Sequence, residues 1–106
     1  MKTKCPVLGT IEFVAQKWTL IILRYLQLKK KMRFNEFLKE LDRISSRTLS
    51  KRLAGLEKKG MIQKKIYPEI PPHVEYSLTQ KGEEFTKTLT DIAKWCEKWE
   101  TQPLPD

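Results

Sequence analysis

Residues 45–60, Ser45-Ser46-Arg47-Thr48-Leu49-Ser50-Lys51-Arg52-Leu53-Ala54-Gly55-Leu56-Glu57-Lys58-Lys59-Gly60, decide how this chain is read. Ser45 or Ser46 can accept from the free amides of a helix start, and Gly60 suits the position just past a helix end. Leu49, Leu53 and Leu56 recur at i, i+4 and i+7, which makes one stripe at about 100° per residue. Arg47, Lys51, Ala54 and Lys58 fall within about 40° of the opposite direction. The helix therefore has an apolar back and a cationic front with a small residue in its middle, a shape that allows close approach to phosphates. Taken alone, a solvated basic face on a surface helix would read the same way.

The segments on either side narrow the choice. Upstream, Ile11, Phe13, Val14, Trp18, Ile21, Ile22, Leu23, Leu26 and Leu28 predict buried helices near 8–15 and 17–28, ended by Lys29-Lys30-Lys31. Phe34, Phe37, Leu38 and Leu41 then follow at i, i+3, i+4, i+7, a short amphipathic helix with Asn35 as its cap. Downstream, Met61 to Tyr67 is β-branched and basic, and Val74, Tyr76 and Leu78 alternate with His73, Glu75 and Ser77. Pro68-Glu69-Ile70-Pro71-Pro72 between them is a loop, because proline cannot pair in a ladder. A two-stranded hairpin with a stiff tip is expected, with Lys64, Lys65 and His73 on or near it.

Thr79 is placed to cap a last helix of about twenty residues, over about 80–100, with Glu83 and Glu84 early where the dipole favours acid. Phe85, Leu89, Ile92, Cys96 and Trp99 follow at spacings of 4, 3, 4 and 3, a heptad seam, with Trp95 apolar beside it. The seam either packs on the chain's own core or meets a partner helix from a second subunit. The length of the helix favours the partner. Thr101 to Asp106, with Pro103 and Pro105, is expected to be frayed.

At 106 residues the chain has room for one domain, assigned to 1–100 with a tail at 101–106. Apolar residues make up 40% and charged residues 32%, the balance of a globular protein rather than a disordered one. No apolar run approaches the roughly 18 residues of a membrane span. Lys2 and Lys4 have no apolar stretch behind them, so no secretory signal is read and a cytoplasmic location is expected. The net charge of +8 is unevenly spread. Residues 17–67 hold fifteen bases and only Glu36, Glu40, Asp42 and Glu57, whereas residues 68–106 hold four bases and eight acids. That polarity is an electrostatic footprint for nucleic acid, although an anionic membrane surface would suit it at this level.

Helices, a tight helix pair with a basic second member, a hairpin, and a long helix: this order predicts a fold that is mainly α with a small β-hairpin wing, a winged helix-turn-helix. The 45–59 helix has the width of the major groove. The hairpin can lie along the adjacent backbone, where Lys64 and Lys65 meet phosphates. A second subunit would set a second such helix about 34 Å away and so select a near-palindromic site.

The strings Cys5-Pro6-Val7, Lys17-Trp18-Thr19-Leu20-Ile21-Ile22-Leu23, Arg33-Phe34-Asn35-Glu36, Ile44-Ser45, Leu49-Ser50-Lys51-Arg52-Leu53, Leu56-Glu57 and Gly60-Met61-Ile62 resemble the HxlR-type transcription regulators. So does Tyr67-Pro68-Glu69-Ile70-Pro71-Pro72-His73-Val74-Glu75-Tyr76-Ser77-Leu78-Thr79 followed by Gly82, the most specific part. The resemblance covers about residues 5–99. It implies a winged-helix homodimer, joined through N- and C-terminal dimerisation helices, that binds double-stranded operator DNA. The sequence departs from the family where Ala15-Gln16 stand for Gly-Gly, where Asp42-Arg43 stand for Pro and Gly, and where His73 replaces a basic residue.

The candidate DNA-binding residues are Arg33, Ser46, Arg47, Thr48, Ser50, Lys51, Arg52, Lys64, Lys65 and His73. The candidate dimer interface is Phe85, Leu89, Ile92, Trp95, Cys96 and Trp99. Two cysteines and one histidine supply no four-ligand zinc set, and no cofactor is expected. Cys96 reads as a small buried hydrophobe. Cys5 lies beside Lys4 at a helix start, where cations and amide dipoles lower a thiol pKa, and the resemblance implies a possible thiol or electrophile sensor there. Trp18, Trp95 and Trp99 read as packing, with an aromatic ligand pocket as the alternative. With no nucleophile–base pair and no clustered carboxylates, no enzyme activity is expected.

Three functional classes remain. A sequence-specific dimeric regulator is the first, a non-specific nucleic-acid-binding protein the second, and a winged-helix protein-interaction module the third. The basic central segment argues against the third. Arg47, Thr48 and Ser50, which can bond base edges, argue against the second.

Overall fold

The computed structural model describes residues 5–100; the expected frayed tail and the lysine beside Cys5 lie outside the described residues. The elements in chain order are α1 (Pro6–Val14), α2 (Thr19–Lys29), β1 (Lys31–Arg33), α3 (Phe34–Glu40), α4 (Ser46–Lys58), β2 (Ile62–Tyr67), β3 (His73–Leu78) and α5 (Gln80–Trp99). The fold is mainly helical with a small antiparallel sheet, as expected. The sheet has three strands in the order β1-β3-β2 rather than two. Ile62 pairs with Leu78 and Tyr67 with His73 in the hairpin, while Lys31 to Arg33 pair with Ser77 to Glu75 along its other side.

The strand ahead of α3 also moves that helix's cap. Arg33, extended at the end of β1, is the N-cap in place of Asn35, and its main-chain amide donates to Glu36 Oε1 at 3.0 Å. α4 starts as expected: Ser45 Oγ accepts from the Thr48 amide at 3.0 Å. Its end is a Schellman turn. Gly60, at φ 76°, donates to the Glu57 carbonyl at 2.9 Å, and Met61 donates to that of Leu56 at 3.0 Å. Only glycine takes that left-handed position without a Cβ penalty.

Leu49, Leu53 and Leu56 of α4 are buried, together with Ile22, Leu23 and Leu26 of α2, Met32 of β1, Phe37 of α3, Ile62 of β2 and Leu89 of α5. One apolar cluster thus ties the helices to the sheet. α1 buries no residue of its own, although Phe13 packs against the cluster; α1 and α2 are bent 83° apart. No single helix among the described residues is long and apolar enough to cross a membrane.

Candidate nucleic-acid interface

Burial of the leucine stripe turns the opposite face of α4 outward. Ser46, Arg47, Ser50, Lys51, Ala54 and Lys58 are all exposed. Among the described residues neither Arg47 nor Lys51 is held in a salt bridge, so both cations are available to a polyanion. Thr48 is only half exposed, and its hydroxyl accepts from Ser45 Oγ at 3.0 Å, so it serves the cap as well as the front of the helix.

Arg52 is used differently from what its sequence position suggested. It lies about 140° around the helix from Arg47, and its Nε donates to the Lys17 carbonyl at 2.9 Å. Its guanidinium also reaches Gln16 Oε1 at 3.4 Å. In the free chain Arg52 therefore ties α4 to the turn between α1 and α2.

The wing carries Lys64 and Lys65, both exposed. Lys64 is 4.0 Å from Glu57 Oε1, a loose surface pair, and the Lys65 ammonium lies 5.0 Å from the Tyr67 ring centre. His73 stands on the same hairpin, at the start of β3. Its side chain is only 16% exposed, stacks on Tyr67 at 4.6 Å, and is flanked by Glu69 at 3.2 Å and Glu75 at 3.5 Å. Two carboxylates around the ring repel a phosphate, so His73 braces the base of the wing tip. Beyond it, Ile70 at the tip is fully exposed.

Arg33 is exposed at the junction of β1 and α3. It lines an open cleft of about 1180 Å³ between α3 and the wing tip, with Lys39 on one wall and Ile70, Pro71 and Pro72 on the other. Lys29, also on this cleft, bonds Glu40 at 2.6 Å, and that hydrogen bond raises its pKa. Burial raises the pKa of Tyr76 on β3, with the nearby Glu57 charge adding to the effect. The sequence did not mark Lys29 or Lys39 as site residues; Lys29 ends α2 and Lys39 lies in α3, and only tertiary packing brings them to one cleft.

The expected seam on α5 divides in two. Leu89 is 7% exposed and belongs to the core, and Phe85, half-buried, packs against it. Ile92, Trp95 and Trp99, at 53%, 54% and 63% exposure, have no such cover. Cys96 is half-buried beside them. Val7, Leu8 and Ile11 make a second exposed apolar group on α1. Trp18 packs on the core, and smaller clefts of about 500 and 400 Å³ are lined by neither it nor the other two tryptophans.

A short helix pair whose second member shows cations outward, followed by a β-ribbon and braced by a three-stranded sheet, defines the winged helix-turn-helix class. The chain belongs to the HxlR-like helix-turn-helix family, whose model matches residues 13–103. It is 39% identical over 95 residues to YdeP of Bacillus subtilis, an uncharacterised HTH-type transcriptional regulator, covering 90% of this chain and 73% of that protein. It is also 39% identical, over 90% of its length and 70% of the relative's, to the regulator sll1512 of Synechocystis.

Among solved structures, a MarR-family transcriptional regulator from Porphyromonas gingivalis superposes with a TM-score of 0.82 at 37% identity, covering 93% and 96% of the two chains. The redox regulator HypR in its oxidised form superposes with a TM-score of 0.78 at 35% identity, over 89% and 96%. The chain is accordingly a transcriptional regulator with a helix-turn-helix fold.

Proposed function

We propose that the protein acts as a homodimer that binds a near-palindromic double-stranded DNA operator in the cytoplasm. α4 enters the major groove. Arg47 and Ser50 read base edges there, with Ser46, Thr48 and Lys51 at the groove edge. Lys64 and Lys65 of the wing and Arg33 at the start of α3 neutralise backbone phosphates. The exposed residues of α5, with the apolar group on α1, supply the contact between subunits.

One observation carries this reading: Arg47 and Lys51 of α4 stand outward, in no salt bridge among the described residues, opposite a buried leucine stripe. A purely electrostatic binder needs only such charge. The hydroxyls and the guanidinium on the same face add groups that distinguish bases. A competition titration at fixed salt is the test. An operator fragment should survive excess random duplex; equal binding to all duplexes leaves only non-specific association.

We also propose that Cys5 makes the regulator thiol-responsive. Cys5 is exposed at the N-cap of α1, beside the surface offered to a partner. The similarity to HypR supports a redox role. Alkylation of Cys5 should change operator affinity. An unchanged affinity removes the sensor role while leaving DNA binding intact.

A further inference from the structure

Hydrogen bonds attach α5 to the rest of the fold at two points. The first lies at its start, where it grips the end of α4. Lys81 Nζ donates to the Lys59 carbonyl at 2.7 Å, and Thr79 Oγ1 donates to that of Gly60. The Thr79 amide donates to the Met61 carbonyl at 3.1 Å. The second point is a single side chain of α2. Gln27 Nε2 donates to the Thr86 carbonyl at 2.8 Å and to Thr90 Oγ1 at 2.9 Å, while Gln27 Oε1 accepts from Arg24 at 2.7 Å. Among the described residues, the side-chain hydrogen bonds between α2 and α5 all pass through Gln27.

One attachment leaves a helix free to pivot; two fix its direction. The apolar contacts of Phe85 and Leu89 with the core oppose separation, but burial is non-directional and tolerates a small rotation. Hydrogen bonds have a preferred angle and length. Because Thr86 and Thr90 are one turn apart, one amide group holds two successive turns of α5 and resists its tilt.

We infer that Gln27 is a positioning residue that sets the direction of α5 against the DNA-binding unit, and through it the half-site spacing selected by the dimer. The inference rests on the dimeric reading above. Ile92, Trp95 and Trp99, the exposed residues offered to a partner, all lie beyond the Gln27 attachment. From residue 82 to residue 99 a helix runs about 26 Å at 1.5 Å per residue. A tilt of about 10° at the start would carry the far end about 4–5 Å sideways, more than the 3.4 Å rise of one base pair. The operation that relates the subunits would move with it, and so would the distance between the two α4 helices.

The test is selection from a duplex pool in which two inverted half-sites are separated by spacers of every length from zero to twelve base pairs. It uses the full chain, Gln27→Leu, which keeps bulk but removes both donors, and Thr90→Val, which removes one acceptor at an exposed position. The full chain should enrich one spacing. Gln27→Leu should lose about tenfold at that spacing relative to its neighbours, with neighbouring spacings rising, and Thr90→Val should broaden the peak in the same sense. A Gln27→Leu profile that keeps the same single peak, or a uniform fall at every spacing, would overturn the inference; should that variant fail to fold, an unbroadened Thr90→Val peak overturns it. A full chain with no preferred spacing would overturn the dimeric reading itself, which separates the two failures.

Discussion

The carbonyl oxygen of Met61 stands 2.0 Å from where a Cβ on residue 82 would be, so α5 can begin against the end of α4 only because Gly82 has no side chain. The obstacle is main chain, and it is fixed by its bond from the Thr79 amide. Gly82→Ala would gain up to about 1 kcal/mol in helix propensity. The overlap outweighs that gain, and a net loss of about 1–3 kcal/mol is expected from denaturant unfolding.

Arg47→Ala and Lys64→Ala should differ in kind. Loss of an arginine paired to a guanine edge costs about 1–3 kcal/mol and relaxes preference at one base position. Loss of a phosphate contact weakens every sequence alike and lowers the salt slope by about 0.9 log units per contact. The loose pair of Lys64 with Glu57 is too exposed to alter this comparison. Titrations of operator and of single-position variants at several salt concentrations check both.

Arg52→Ala should act on stability rather than on base preference. Its bond to the Lys17 carbonyl contributes about 1 kcal/mol net. Unfolding should shift accordingly, while the ranking of operator variants stays that of the unmodified chain. A changed ranking would show that Arg52 contacts DNA as well.

Leu89 and Ile92 are three residues apart on α5 yet should respond oppositely. Leu89→Ala opens a cavity in the core and costs about 2–5 kcal/mol in unfolding experiments. Ile92→Lys leaves the core intact, since Ile92 is exposed in the single chain. Sedimentation should then find folded monomers; a dimer that persists would place the subunit contact elsewhere.

The sequence made α4, the hairpin and α5 legible because each carries its own period: leucines at helical spacing, alternation across the wing, a heptad seam. β1 was missed because it has three residues inside a basic run, and only Met32 among them faces inward. A single inward residue shows no period. The lost β1 also explains the misplaced cap, since Asn35 looks like a helix start only when Arg33 is not already extended. The internal contacts of Arg52 and His73 were not legible for another reason. Their partners, Lys17 at 35 positions away and two carboxylates placed by the wing, are supplied by tertiary structure. The heptad on α5 was read correctly as apolar, but nothing in its spacing marks where the chain's own core stops covering it. That boundary falls between Leu89 and Ile92.

Footprinting of an operator fragment by base-specific protection tests the central claim most directly. Two chains per duplex should protect two major-groove patches about one helical turn apart, with protection extending toward the flanking backbone on the wing side. Protection by a single chain, or an even pattern along every duplex offered, would contradict it.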